Sequence, residues 1–307
     1  MSATLSQLTT DYDHCRGIFE QHGCFVVNDA IAPGMLAHLE SAARRVVETV
    51  QTGEDEYSMQ VAGNGPEATQ INALIAPEYG EPVFQAMMSS DALARYWRLL
   101  LPPPIRLWFC ALWCLNDAQV ATTYDSRWHR DTSGILGTTW GEDVDEEREM
   151  AILNASPEQV GRSLKWTTCL ADRDPCLFLK PGSHCRYRTP AERRALVEAP
   201  SLPIEGEVQM VLERGQTVFW AGTLVHRGWK PPGCRERLSL TCGVQAHNRP
   251  DVPLHAGHQW KWCRAKSIGP TLDPTMRALW NNWLEACDDL DGAVEKALAL
   301  RHASGKL

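Results

Sequence analysis

The stretch W-H-R-D-T-S-G, residues Trp128–Gly134, decides between two very different folds. H-R-D begins the catalytic loop of protein kinases, whereas H-x-D supplies two of the three ligands of a 2-His-1-carboxylate iron site. The kinase interpretation requires an Asn five residues after the Asp, and that position is Leu136. The chain also lacks a glycine-rich phosphate loop, a V-A-I-K strand and a D-F-G triplet. These features exclude the kinase interpretation.

The iron interpretation makes a specific demand on the second half of the chain. Side chains at positions i and i+2 of a strand point to the same face, so His129 and Asp131 can hold one metal ion from one side. A second His must come from a facing strand. The stretch R-G-Q-T-V-F-W-A-G-T-L-V-H, Arg214–His226, offers one, because a turn and an apolar strand (Thr217–Ala221) lead to His226. Two imidazoles and one carboxylate suit Fe(II) and leave coordination positions open.

The composition fits a globular enzyme and excludes several other classes. Of the 307 residues, 44% are hydrophobic and 22% are charged, and the formal net charge is -8. This balance argues against a nucleic-acid-binding face, and no apolar run approaches the length of a membrane span. The 11 cysteines are scattered without a C-x-x-C pair, which is typical of reduced thiols. We expect a cytoplasmic protein; the final Gly-Lys-Leu offers a peroxisomal address as the alternative.

Helices are expected in the first third of the chain and at its end, with strands between them. Helical spacing predicts helices over Leu5–Gln21, Gly34–Val50 and Val83–Leu100, and a final helix from Pro274 to about Leu300. Short β-branched and aromatic runs predict strands at Cys24–Asn28, Ile105–Leu115, Leu164–Leu170, Cys176–Leu179, Gln209–Leu212, Thr217–Ala221 and Leu238–Gln245. This order predicts an α+β fold with a mainly β core, built as an antiparallel sandwich or barrel.

Four pieces of the sequence, in order, carry a resemblance to a known family. They are W-H-R-D (Trp128–Asp131), D-P-C-L-F-L-K-P-G-S-H (Asp174–His184), R-G-Q-T-V-F-W-A-G-T-L-V-H (Arg214–His226) and R-x-S (Arg237–Ser239). With this order and spacing, the chain resembles the phytanoyl-CoA dioxygenase-like (PhyH) family of Fe(II)/2-oxoglutarate-dependent oxygenases over roughly residues 12–247. The resemblance implies a double-stranded β-helix, a jelly-roll or cupin-like barrel with flanking N- and C-terminal helices.

We expect a single oxygenase domain over residues 1–307. Within it, a helical part at about 1–104 precedes the jelly-roll core at about 105–247, and a C-terminal extension with a helix covers about 248–307. No segment has the composition of a linker that would divide the chain.

The resemblance also assigns roles to individual residues. It implies that His129, Asp131 and His226 are the catalytic metal ligands for Fe(II), with 2-oxoglutarate as cosubstrate and O2 as oxidant. The family carries an Arg eleven residues after its second His, and Arg237 fills that position. A planar guanidinium group suits the distal carboxylate of 2-oxoglutarate, and Ser239, on the same strand face, adds a hydroxyl for the cosubstrate.

The donor to the metal-binding end of 2-oxoglutarate stays open among three residues. Asn116 lies thirteen residues before His129, where some relatives place an amide, and Gln119 and Thr132 are the rivals. His184 in P-G-S-H resembles a fourth ligand, but in the family this segment is a turn beside the site. We therefore interpret His184 as structural.

The expected activity is hydroxylation of an unactivated C–H bond in a small organic molecule, with release of succinate and CO2; desaturation and ring closure are variants. Two alternatives stay open: an acyl-CoA hydroxylase of the phytanoyl-CoA type, and a catalytically inactive relative that acts as a binding protein. A halogenase would need Gly or Ala in place of Asp131 and is disfavoured. The expected partner is a small-molecule substrate, without nucleic acid or membrane, and a homodimer is left open.

Two charged segments bear on the substrate. The acidic stretch Gly141–Glu149 is expected to be a solvated loop that can rim the pocket entrance. A basic cluster follows P-G-S-H and comprises Arg186, Arg188, Arg193 and Arg194. This cluster could contact an anionic substrate, although pairing with Glu192 and Glu198 explains it equally well. The acidic balance of the chain favours a free small molecule, of natural-product or amino-acid type, over a coenzyme A ester.

Overall fold

The computed structural model describes residues 3–52, 70–115, 128–131, 163–197, 202–246 and 268–285. The helices are α1 (Leu5–Leu8), α2 (Tyr12–His22), α3 (Pro33–Thr52), α4 (Val83–Ser89), α5 (Asp91–Leu100), α6 (Pro190–Val197), α7 (Ile268–Thr271) and α8 (residues 274–285). The strands are β1 (Cys24–Val27), β2 (Gln70–Ile71), β3 (Ile105–Leu115), β4 (Ser163–Cys169), β5 (Arg173–Leu179), β6 (Val208–Glu213), β7 (Thr217–Ala221), β8 (His226–Gly228) and β9 (Arg237–Ala246).

The strands form two antiparallel sheets between which the chain alternates. The larger sheet has the order β1-β7-β4-β9-β3-β2, and the smaller sheet has the order β6-β5-β8. An antiparallel bridge between His129 and His226 adds the segment after β3 to the smaller sheet. From β3 onward the chain therefore crosses repeatedly from one sheet to the other, and the predicted α+β fold class with a β core is confirmed.

Burial of both faces explains why β9 consists almost entirely of apolar and small polar residues. Its outward-facing side chains, Leu238, Leu240, Cys242 and Val244, join the core formed with the N-terminal helices. Its other face, which we call the inner face, points toward the smaller sheet. The inner face carries Arg237, Ser239, Thr241, Gly243 and Gln245. Strand periodicity alone therefore places these polar side chains inside the barrel.

Two of the predicted helices are each broken in the structure. The helix predicted over Leu5–Gln21 becomes α1 and α2, because the Asp11 side chain accepts a hydrogen bond from the His14 amide and caps α2. The helix predicted over Val83–Leu100 becomes α4 and α5. There the Ser90 hydroxyl accepts a hydrogen bond from the Leu93 amide and starts a new helix.

The remaining predicted elements are close to those observed. The helix predicted over Gly34–Val50 is α3, and the strand predicted over Thr217–Ala221 is β7 with the same bounds. The final helix is present over 274–285, and its predicted continuation lies outside the described residues. The nine cysteines within the described ranges are all free thiols. Among the helices that the structure describes, none is long and apolar enough to cross a bilayer.

Gly23 joins the helical layer to the barrel, and its replacement is expected to destabilise the fold. Gly23 ends α2 with φ 73°, and a Cβ added there would lie 2.6 Å from the His184 ring. We expect Gly23→Ala to lower the free energy of unfolding by at least about 1–2 kcal/mol, the cost of a left-handed non-glycine residue. In α2, Gly17 has no atom within 4 Å of the equivalent position, so Gly17→Ala is the matched control. Urea melts that show equal effects of the two changes would contradict this account.

Candidate metal centre

His129, Asp131 and His226 lie together at one end of the barrel. Each offers one ligand atom, and these atoms all lie within 4.8 Å of one another. The Nε2 atoms of His129 and His226 are each 3.7 Å from Oδ1 of Asp131. Over the ranges that the structure describes, no other group of His, Cys, Asp or Glu side chains meets this spacing. The structure thus brings the three residues of the predicted triad to one point.

Backbone hydrogen bonds fix the spacing of the three residues. The amides of His129 and His226 each donate to the other residue's carbonyl oxygen at 2.9 Å, and the Asp131 amide donates to the Gly222 carbonyl at 2.9 Å. A Cβ at Gly222 would lie 2.2 Å from the Ser163 hydroxyl, so the close approach of β4 to this segment requires glycine. Because these contacts are made by the backbone, the site geometry does not depend on the triad's own side chains.

The tautomer of His226 suits a metal ligand. Its Nδ1 lies 2.8 Å from the Leu224 carbonyl oxygen, which can only accept, so Nδ1 carries the proton and Nε2 presents its lone pair to the site. Burial, together with the neighbouring His129, holds the pKa of His226 well below its usual range. The imidazole is therefore neutral, the form that binds metals. Two imidazoles and a buried carboxylate fit a divalent iron.

Lys165 is a fourth polar residue at this centre, and no motif in the sequence points to it. Its Nζ lies 3.0 Å from Oδ2 of Asp131, donates to Oδ1 at 3.3 Å, and is 3.5 Å from Nε2 of His226. Only 12% of the side chain is exposed. The sequence signal was a lone charged residue in the strand S-L-K-W-T-T-C, since an ionisable group in a buried strand is uncommon without a partner.

Arg237 and Ser239 lie on the inner face of β9, at the end of the strand away from Gly243. The Nε of Arg237 donates to Oδ2 of Asp174 at 3.0 Å, and the Ser239 hydroxyl donates to the same oxygen at 2.6 Å. All three side chains are buried, and the guanidinium carbon lies 5.2 Å from the centre of the Trp113 ring. Asp174, for which the sequence predicted no role, thus takes one edge of the guanidinium group.

Several predicted residues lie outside the described part of the chain. These are Asn116, Gln119, Thr132 and the acidic stretch Gly141–Glu149. His184 is described, and its Nε2 lies 3.2 Å from the Glu20 carbonyl oxygen in α2. Burial lowers the pKa of His184 to about 4. This side chain therefore ties the P-G-S-H turn to α2.

Of the four arginines in the basic cluster, Arg186 and Arg188 are partly or fully buried, whereas Arg193 and Arg194 are exposed. The guanidinium group of Arg186 forms two hydrogen bonds with Glu192, at 2.6 and 2.8 Å, and a third with the Tyr187 carbonyl. Arg188 is 2% exposed, and Arg193 donates to its carbonyl oxygen at 3.5 Å. Glu198, the other predicted partner, lies outside the described residues. These contacts order the start of α6.

Comparisons with known proteins identify one family and several solved structures with the same fold. Residues 19–230 match the sequence profile of the phytanoyl-CoA dioxygenase (PhyH) family. No curated protein matches the chain. Solved structures match it at low identity: EctD from S. alaskensis with 2-oxoglutarate and 5-hydroxyectoine has a TM-score of 0.54 and 18% identity, over 77% of this chain and 76% of EctD.

Two further solved structures share the fold. AviO1 from Streptomyces viridochromogenes Tue57 has a TM-score of 0.54 and 20% identity, over 82% of this chain and 100% of AviO1. The non-heme alpha ketoglutarate dependent epimerase SnoN from nogalamycin biosynthesis has a TM-score of 0.52 and 16% identity, over 79% of this chain and 83% of SnoN. At these identities the likeness establishes the fold, and the predicted cupin-like barrel with flanking helices is confirmed.

Proposed function

The chain belongs to the phytanoyl-CoA dioxygenase (PhyH) family of non-haem iron, 2-oxoglutarate-dependent oxygenases, and on this premise we propose that it oxidises an unactivated C–H bond of a free small organic molecule. In this proposal His129, Asp131 and His226 hold Fe(II). The observation that carries the assignment is the convergence of three ligand atoms within 4.8 Å at the barrel end.

When bound, Fe(II) and 2-oxoglutarate let O2 oxidise the substrate: C–H becomes C–OH while 2-oxoglutarate becomes succinate and CO2. The protein's task is to orient the reactants and to exclude water. His226 keeps its Nε2 lone pair directed into the site through its Nδ1–H bond to the Leu224 carbonyl. The backbone amide of Asp131 donates a hydrogen bond to the Gly222 carbonyl and fixes the position of this residue. Its carboxylate therefore needs little reorganisation when a cation binds.

Arg237 is the proposed partner of the distal carboxylate of 2-oxoglutarate. It lies on the inner face of the barrel, and Asp174 and Trp113 fix the plane of its guanidinium group. A planar fork held in this way suits bidentate recognition of a carboxylate. The Ser239 hydroxyl already donates to Asp174, so in this proposal it acts on the cosubstrate by holding Asp174 in place.

The contacts of the basic cluster favour a free substrate over a coenzyme A ester. A coenzyme A ester needs cations to receive its phosphates; in this cluster Arg186 is bound by Glu192 and Arg188 is buried, which leaves Arg193 and Arg194 as the exposed cations. Two structural neighbours are described with free small molecules: EctD was solved with 5-hydroxyectoine, and SnoN comes from nogalamycin biosynthesis. This is in line with the proposal.

A paired assay of succinate release tests this function. Free acids, terpenoid compounds and peptide-like compounds, and the coenzyme A esters of the acids, are each offered with Fe(II), 2-oxoglutarate and O2. We expect turnover with a free compound that stays within about threefold in Arg186→Ala, because the Arg186 guanidinium group is already bound to Glu192. Turnover confined to the thioesters and lost in Arg186→Ala would show an acyl-CoA hydroxylase instead.

A further inference from the structure

The proposed function assigns no role to Lys165, although its side chain lies at the metal centre. In the register of the large sheet it pairs with Trp220 on β7 and Gly243 on β9, so its side chain enters the barrel. Its Nζ lies 3.0 and 3.3 Å from the two carboxylate oxygens of Asp131 and 3.5 Å from Nε2 of His226. The ammonium group thus contacts two of the three side chains that would bind the metal.

Aromatic rings surround the rest of the ammonium group. Its Nζ lies 5.2, 5.4 and 5.7 Å from the ring centres of Trp220, Phe109 and Trp108 respectively. A Cβ at Gly243 would lie 2.8 Å from the Phe109 ring and 2.9 Å from the Trp108 ring, so glycine lets both rings pack here. Ring faces attract a cation, so the ammonium group can shift away from Asp131 and stay inside the barrel.

Asp131 therefore faces two cations, Lys165 and the metal. The charges of Asp131 and Lys165 cancel, so a divalent metal adds two positive charges to this pair. The Asp174–Arg237 pair is itself neutral and does not change this balance. The dianion 2-oxoglutarate supplies the missing charge, and its metal-binding carboxylate would lie beside the ammonium group.

We propose that Lys165 competes with the metal for Asp131 and then becomes the partner of the metal-binding carboxylate of 2-oxoglutarate. This inference rests on the proposed function and gives Lys165 a positioning role within it. The consequence is thermodynamic: Lys165 weakens the binding of metal alone and strengthens the binding of cosubstrate to the metal-loaded protein. The binding of metal and the binding of 2-oxoglutarate are then coupled more strongly than by chelation alone.

Calorimetric titration with Mn(II) and 2-oxoglutarate, without substrate, measures this coupling directly. In Lys165→Met we expect Mn(II) alone to bind about tenfold more tightly than in the wild type, and 2-oxoglutarate to bind the Mn(II)-loaded protein about tenfold more weakly. Lys165→Arg keeps the charge and should behave like the wild type. Lys180→Met is the matched control, because it removes a lysine whose ammonium group is bound elsewhere, to the Glu205 carbonyl. A purely structural role would not move the two affinities in opposite directions.

The other outcomes separate this inference from the function on which it rests. If Lys165→Met binds both ligands as the wild type does, the role of Lys165 is refuted and the metal centre stands. If the wild type binds no Mn(II) and Lys165→Met does, the ammonium group occupies the metal position, and the chain is a binding protein. If Lys165→Met does not fold, Lys165→Gln gives a second neutral variant with the same two expected shifts.

Discussion

Replacing His226 by Ala is expected to weaken divalent metal binding by at least about 100-fold, because even the groups that only orient metal ligands contribute 10- to 100-fold. The variant loses one of three ligand atoms and leaves Asp131 with a single imidazole at 3.7 Å. The fold should persist, since the hydrogen bonds between residues 129 and 226 are made by the backbone. Equilibrium dialysis with Mn(II) measures the loss.

His14→Ala is the control for this substitution. The His14 side chain is 75% exposed and pairs with Asp11 at the surface, so its loss should leave Mn(II) binding unchanged. Circular dichroism melts of the metal-free proteins establish that both variants fold. A folded His226→Ala protein that binds one Mn(II) with unaltered affinity would refute the assignment of this ligand.

Arg237→Ala is expected to raise the Kd for 2-oxoglutarate by about 10- to 100-fold, which corresponds to the loss of about 1.5–3 kcal/mol from a charge-assisted contact. Metal binding in the absence of cosubstrate should be unchanged, since Arg237 contacts Asp174 and makes no ion pair with the triad. Arg235, two residues earlier, is exposed, so Arg235→Ala should have little effect. Reversed effects of the two variants would mean that the register of β9 is wrong.

The Asp174–Arg237 contact adds a complication that a double variant resolves. Removing Arg237 leaves Asp174 buried without its cation, which costs about 3–5 kcal/mol of stability in comparable buried pairs. Combining Arg237→Ala with Asp174→Asn removes that buried charge and should restore much of the stability. The Kd for 2-oxoglutarate should remain high in the double variant. Recovery of cosubstrate binding there would show that Arg237 acts through folding alone.

The parts of the site that could be predicted from sequence are those set by local spacing. His129 and Asp131 were predicted to converge because residues two apart on a strand share a face; the structure brings them together, although only His129 forms a β-bridge. His226 follows an apolar strand whose bounds were predicted without error. Strand bounds are readable here because Gly, Pro and Asp separate the apolar runs. The helix breaks at Asp11 and Ser90 were missed because one side-chain cap decides between a continuous helix and two shorter ones.

The partners of Lys165 and Asp174 could not be predicted from local patterns, although a lone charge in a buried strand marks Lys165 as unusual. Lys165 reaches Asp131 only because β4 pairs with β7 and β9 in one register, and a slip of one residue would turn it out of the barrel. Asp174 and Arg237 are 63 residues apart in the sequence and lie on strands of different sheets. Both contacts depend on long-range strand pairing, which the sequence pattern of a single strand does not specify.

The most direct test of the central claim is an anaerobic titration of the wild-type protein with Fe(II) in the presence of 2-oxoglutarate. The claim is that His129, Asp131 and His226 together bind one iron, which 2-oxoglutarate then chelates. We predict the weak visible charge-transfer band of that chelate, saturating at one Fe(II) per chain and absent in His226→Ala. A folded wild-type protein that gives no band and binds no Fe(II), or a His226→Ala protein that keeps the full band, would contradict the account.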